Sequence, residues 1–362
     1  MLHRLVVVLP PLLGAVLAGE PSAWVAVPRA GLTSRLCNSS MLGRDDALRL
    51  ALTPPVAAID HRCMANLSES EVGVGPSCTR QHTVIDMIMF GFEADTLEIR
   101  LLESRGIVNR TILIEAEFDH HGRPKPCVFT DILSAQPRYK GFAVTAECLR
   151  RHRRPERSMA QPVDWEYEEV QTRAAADIAR RLPADAIVTF GHTDEVPNRR
   201  VWSEVKHCDG SLPTNVAVVN LMGLASSSTH SIYAARGHPH TLGSPAVMRA
   251  GAFVAGHPRG RYKNVWLVGG AHMTNYCYAG TRVLKEWTAT EARPDMMTAK
   301  QPSCESQVAG CRRAAFIRGS KPIKITRRLP IALRCNPERY PEWWHRSDPR
   351  LRVSHAQQPS VA

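Results

Sequence analysis

Two apolar runs with one helix between them constrain this chain more than any other feature. "TVIDMIMF" over 83–90 and "IVNRTILIEAE" over 107–117 are rich in β-branched residues and read as buried strands. The intervening "EADTLEIRLLESRG" places Leu97, Leu101 and Leu102 on one helical stripe. Gly106 supplies a stop, and Asp95 with Glu98 three residues on predicts an N-terminal cap with a capping box. A strand, a crossover helix and a strand of this length make a β-α-β unit, the seed of a parallel sheet.

The rest of the chain extends that pattern. "DWEYEEVQTRAAADIARRL" predicts a long helix with Asp164 as its cap, and "DAIVTF" a buried strand after it. "NVAVVNLMGL" and "KNVWLVGG" predict two further strands, and no internal repeat is evident. Strands alternating with helices imply an α/β fold built on an open, mostly parallel sheet. Residues 25–80 lack periodicity and contain three cysteines, which reads as a stem or irregular region. The expected organisation is a signal peptide or signal-anchor over 1–24, the stem over 25–80, a catalytic domain over 81–340 and a polar tail over 341–362.

The N-terminus sets the compartment. His3 and Arg4 precede an apolar stretch from Leu5 to Gly19, followed by small residues, in the layout of a secretory signal; Pro10 and Pro11 disfavour a straight spanning helix. A second apolar patch, "AWVAV", leaves a signal-anchor open. The 10 cysteines include no C-x-x-C pair, so disulfides in an oxidising lumen are expected rather than zinc. Asn38 and Asn66 head exposed glycosylation sequons, whereas Asn109 leads into a strand and reads as a chance match. The net charge of +12 invites a polyanion reading, but the arginine clusters at 150–157 and 311–328 lack interleaved aromatics, and no nucleic-acid motif is present. They read mainly as solvated faces.

The strand "DAIVTF" ends in "GHTDEVPNRR", which puts His192, Asp194 and Glu195 at a carboxyl end, where open α/β sheets bind ligands. Two carboxylates and an imidazole suit a divalent cation such as Mn²⁺. They equally suit a turn in which Asp194 or Glu195 caps a helix opened by Pro197.

Three segments, in order, resemble glycosyltransferase family 17. Phe90, Glu93, Asp95, Leu97, Glu98, Ile99, Arg100, Leu101 and Glu103 fall on the family's F-N-x-E-x-D-L-L-E-I-R-L-x-E-L pattern, and Val108, Glu115, Gly122, Pro124 and Lys125 on the segment that follows it. Asp194, Glu195 and Pro197 fall on S-D-V-D-E-I-P, with His192 where the family has its first aspartate. Gly270, His272 and Thr274 fall on G-W-H-x-S/T, with Ala271 replacing the tryptophan.

The resemblance spans roughly 82–290 and implies a Rossmann-like nucleotide-sugar-transferase type A fold in the Golgi lumen, membrane-anchored or secreted. It implies inverting transfer of N-acetylglucosamine from UDP-N-acetylglucosamine to a mannose of a glycoprotein N-glycan core, with Mn²⁺ at the aspartate motif. On this basis Asp194, His192 and His272 are candidate metal ligands, and Glu93, Lys125 and Glu195 candidate donor-binding residues. Glu195 also remains open as a metal ligand or a helix cap. Glu115, Glu117 and Asp119 are unranked candidates for the base that takes the acceptor proton. Arg100 reads as an ion-pair partner for a helix acid.

His192 and Ala271 keep a second reading open, a non-catalytic lumenal carbohydrate-binding protein on the same fold. A secretory metallohydrolase using His192, Asp194 and His272 lacks any compact metal motif. A secreted polyanion binder would rest on the arginine clusters alone.

Overall fold

The computed structural model describes residues 44–71, 81–120, 122–150, 166–208, 216–226, 229–235, 238–240, 242–253, 266–273, 281, 284–285, 321–322 and 330–340. The expected signal segment, the cap Asp164, both arginine clusters, Asn38, Thr274 and the polar tail lie outside the described residues, apart from Arg150 and Lys321–Pro322. In chain order the elements are helix α1 (Arg44–Leu52), α2 (His61–Glu71), strand β1 (Val84–Met89), α3 (Ala94–Ser104), β2 (Arg110–Ala116), the short α4 (Val128–Asp131), β3 (Val144–Leu149), α5 (Glu166–Arg180), β4 (Ile187–His192) and β5 (Glu195–Pro197). They continue with α6 (Arg199–His207), β6 (Val216–Ser226), β7 (Thr229–Ala235), β8 (His238–His240), β9 (Leu242–Arg249), β10 (Trp266–His272), β11 (Lys321–Pro322) and α7 (Ile331–Cys335). Among the described residues no helix is long and apolar enough to cross a membrane.

The predicted β-α-β unit forms as expected. β1 and β2 pair in parallel, β1 pairs in parallel with β4 on its other side, and β2 with β3. Every residue of β1 is buried, as a strand covered on both faces must be. One face packs Ile85, Met87, Ile112 and Ile114 on Ala175, Ile178 and Ala179 of α5. The other packs Ile88 and Leu113 on Leu97 and Leu101 of α3. The sequence reading did not resolve β3, nor β9, which pairs antiparallel to both β4 and β6. The sheet therefore runs from a parallel half, β3-β2-β1-β4, into a half that contains antiparallel strands. After β3 the chain crosses back to the far side of β1, so the β1–β4 border is the topological switch point, the position where such sheets bind ligands.

Within the expected stem, residues 44–52 and 61–71 are helical. Ala47, Leu50 and Ala51 of α1 pack with Ile99 and Leu102 of α3 and Ala332 and Leu333 of α7. Two covalent links reinforce the packing: Cys63 to Cys335, which ties α2 to α7, and Cys127 to Cys148, which ties the start of α4 to β3. Among the described residues no cysteine is free, in line with the expected disulfides. Asn109 accepts from Val84 N at 2.9 Å and from Lys206 Nζ at 3.2 Å, so its amide is used structurally.

The predicted capping box does not form. α3 begins at Ala94, which puts Asp95 inside the first turn rather than before it. Asp95 instead accepts from Arg138 Nη1 at 2.9 Å. Glu98 is taken by Arg339 at 2.6 Å and by the Tyr340 hydroxyl at 3.0 Å. Arg339 also donates to the carbonyls of Pro55 and Ala57. These acids are long-range staples between the two ends of the described chain. The helix does stop as expected, with Gly106 at φ 76°.

At the centre lies Arg100, fully buried. Its Nε and Nη2 donate to the two carboxylate oxygens of Asp86 on β1 at 2.8 and 2.6 Å. Thr189, the β4 residue paired with Asp86, adds a third bond at 2.5 Å. Arg100 is thus an ion-pair partner, but of a strand acid rather than a helix acid. Replacing it with methionine strands a buried carboxylate. Arg100→Met is expected to lose about 3–5 kcal/mol of unfolding free energy in chemical denaturation, and a loss below about 1 kcal/mol would contradict this assignment.

Candidate active site

The carboxyl ends of β1 and β4 carry the candidate residues, and Arg100 joins them. Its Nη1 donates to the carbonyls of His192 and Glu195 at 2.6 and 2.7 Å, which fixes the turn between β4 and β5. Thr193 Oγ1 ties the same turn to the Met89 carbonyl at 3.0 Å. Glu195 folds its carboxylate back onto His192 N at 2.8 Å. Glu195 is therefore a turn staple. Neither it nor Asp194 caps the following helix: α6 starts at Arg199, and Asn198 Oδ1 accepts from Val201 N at 3.0 Å.

Gly191 is dictated by that turn. A Cβ there would overlap the Glu195 carboxylate and would lie within 2.7 Å of the Pro245 Cβ. The glycines of "VGGAH" have a similar origin. Gly269 adopts φ 152° with its α-carbon against the Asn198 amide, and the pairing of β10 with β6 shifts register between Val268 and Ala271. The irregularity sets His272 opposite Glu195 across the antiparallel β10–β5 ladder.

Asp194 is the best-placed acid. It is buried, its carbonyl accepts from Met273 N at 2.7 Å, and its Oδ2 meets Lys285 Nζ at 2.5 Å and His272 Nε2 at 3.4 Å. Burial alone would raise this carboxyl, but the Lys285 ammonium, with His272 and His192, holds it well below the usual carboxylate range. His192 turns the other way, its Nε2 lying 3.3 Å from Glu168 of α5. Close to Glu168 and His192 is His120, which hydrogen-bonds Gln171. Burial and the His192 imidazole lower its pKa, against the pull of Glu168.

Of the three expected metal ligands, Asp194 and His272 meet, and His192 turns to Glu168. Asp194 carries an ammonium where a cation would sit. His192 is directed to Glu168. His272 presents Nε2 to Asp194, so its Nδ1, buried and without a hydrogen-bond partner, faces away from that carboxylate. Asp194 Oδ2 and His272 Nε2, 3.4 Å apart, are spaced as two ligands of one ion would be, but Lys285 Nζ already stands on that oxygen. Among the described residues no group of three or more His, Cys, Asp or Glu side chains is placed to hold a metal. With Lys285 Nζ 2.5 Å from Asp194 Oδ2, a divalent cation would find that oxygen already taken.

The base candidates separate by their partners. Glu115 spends both oxygens on α4, accepting from Phe129 N at 2.6 Å, Thr130 N at 3.0 Å and Thr130 Oγ1 at 2.8 Å. Asp119 closes a hairpin by accepting from Arg123 N and Nε at 3.0 and 2.8 Å. Glu117 is half-buried, and its carboxylate makes no hydrogen bond among the described residues. Lys125 lies on the same hairpin, its N–H donating to the Glu117 carbonyl at 3.0 Å. Glu93 sits just past β1 with Oε2 3.2 Å from Phe92 N, at the switch point.

The sequence model of Glycosyltransferase family 17 matches residues 52–221, from the end of α1 into β6. Over these residues the chain is similar to glycosyltransferase family 17. No curated protein matches the chain. The family 17 region contains β1 to β5 and the Arg100-pinned turn, so the parallel half of the sheet, with its switch point, is the family's part of the fold. The family is one of glycosyltransferases, which take a nucleotide sugar and a glycan acceptor as substrates.

Sequence reasoning missed Lys285, His120 and Glu168 as site residues. Lys285 lies in a stretch without periodicity, so nothing local pointed to it. Glu168 could have been found from its acid on the inner face of an amphipathic helix, one turn from Gln171 and Thr172. Gly191→Ala is expected to cost about 1–3 kcal/mol of stability through the clash with Pro245. Its transfer rate should fall further than the stability loss explains, read as initial rate well below the melting transition. Parent-like rate and stability would show that the turn tolerates a side chain.

Proposed function

We propose that this chain is an inverting transferase that moves N-acetylglucosamine from UDP-N-acetylglucosamine to a mannose of a glycoprotein N-glycan core in the Golgi lumen. The observation that carries this reading is the turn 192–195, held by Arg100 at the switch point within the family 17 region. In open α/β sheets that crevice is where a nucleotide is bound. The secretory layout of the N-terminus and the disulfides are in keeping with a lumenal enzyme.

The chemistry follows from inversion. The acceptor hydroxyl oxygen attacks the anomeric carbon, the bond from that carbon to the diphosphate oxygen breaks, and UDP departs with the electron pair. Glu117 is assigned the acceptor proton, because Glu115 and Asp119 are consumed by α4 and Arg123. Glu93 and Lys125 are assigned to the donor. His192, steadied by Glu168, presents an imidazole to the nucleotide side of the cleft.

The test is a panel of UDP- and GDP-sugars, offered one at a time with a mannose-terminated N-glycan core, with release of the nucleotide measured. UDP release from UDP-N-acetylglucosamine that requires the acceptor is expected. Asp194→Ala should lower it by a factor of about 10²–10³ with the melting transition still cooperative, as for loss of a charge-stabilising group. Glycan binding without any nucleotide release would favour the non-catalytic carbohydrate-binding reading, and parent-like turnover by Asp194→Ala would remove Asp194 from the site.

A further inference from the structure

We propose that the Lys285 ammonium, anchored on Asp194, is the cation that binds the donor's diphosphate, and that nucleotide binding at this site is independent of a divalent metal. The inference rests on the transferase reading above and specifies how its leaving group is held.

A nucleoside diphosphate carries charge that a transferase must neutralise, both on binding and as the bond to the sugar breaks. A carboxylate at the switch point does this indirectly, by fixing a cation that contacts the phosphates. Here Asp194 already fixes one. Its Oδ2 lies 2.5 Å from Lys285 Nζ, and the Asp194 side chain is 6% exposed against 25% for Lys285. The acid is buried beneath the amine and the amine reaches solvent. A lysine ammonium has three donors and binds phosphate as a point charge.

Asp194 cannot swing away. Its main chain is held by Met273 N at 2.7 Å, and the neighbouring Glu195 carbonyl by Arg100 at 2.7 Å. His272 Nε2 lies 3.4 Å from the same carboxylate oxygen and backs the anchor. A divalent ion on Asp194 would have to expel Lys285, and of the two histidines only His272, through Nε2, would stand beside it, since His192 turns to Glu168.

The experiment is calorimetric titration of the full chain with UDP and with uridine, each in EDTA and in Mn²⁺. It uses the parent, Lys285→Gln and Lys285→Arg. UDP should bind the parent in EDTA, with Mn²⁺ changing the dissociation constant by less than about threefold. Lys285→Gln should weaken UDP by about tenfold or more, as expected for loss of a charged hydrogen bond, and Lys285→Arg should restore most of it. Uridine, lacking phosphate, should bind parent and Lys285→Gln alike, which separates loss of a phosphate contact from loss of the fold. UDP binding that appears only with Mn²⁺ would overturn this proposal and leave the transferase reading standing. So would equal UDP affinity in the parent and Lys285→Gln. UDP that binds in neither buffer would overturn both.

Discussion

Arg100 is a guanidinium with no access to water, and its four hydrogen bonds decide where the candidate site lies. Two go to Asp86 in the middle of β1 and two to carbonyls of the turn that follows β4. A buried ion pair contributes little net stability against an apolar alternative, but breaking one is expensive. What this pair supplies is position. It locks α3, β1 and the 192–195 turn to one another, with Thr189 sharing Asp86 to fix the β1–β4 register. The turn is built from main-chain atoms that would otherwise have lost their hydrogen bonds on burial. Its location at the switch point follows from that satisfaction, and Asp194 inherits the location.

Around that anchor the acids divide into two kinds. Asp86, Asp95, Glu98, Glu103, Glu115 and Asp119 are spent on cations or on backbone N–H groups. Glu103, for example, accepts from Arg199 N at 3.0 Å and Ala332 N at 2.7 Å, which joins α3 to α6 and α7. Asp194 and Glu168 lie at the edge of the sheet, each facing an imidazole, with Lys285 also on Asp194. The result is an edge where acids and imidazoles lie beside the Lys285 ammonium. That arrangement suits a ligand with hydroxyls and phosphates better than a bare cation.

Much of the fold was legible because it rests on local signals. The apolar runs of β1, β2 and β4, the stripe of α3 and the stop at Gly106 each follow from spacing of two or 3.6 and from backbone freedom. The residues 192–195 stood out because polar groups at a strand's end contradict the run before them. The partners of the acids were not legible. Asp95 and Glu98 satisfied a capping pattern in sequence, yet Arg138, Arg339 and Tyr340 take them from 43 to 242 residues away. Glu115 and Asp119 were indistinguishable from Glu117 until α4 and Arg123 claimed them. The helices at 44–71 were hidden because their apolar faces are short and are completed by α3 and α7. Lys285 pairs with Asp194 across 91 residues. Long-range charge pairing leaves no periodic trace, so it is recovered only from the assembled fold.

The central claim is that the Arg100-pinned turn at the β1–β4 border is where the donor's diphosphate lies. A crystal structure of the full chain with UDP tests it most directly. The diphosphate is expected at the carboxyl edge of β1 and β4, with Lys285 Nζ at hydrogen-bond distance from a phosphate oxygen. UDP bound elsewhere, or at this edge with its phosphates turned away from Lys285, would contradict it.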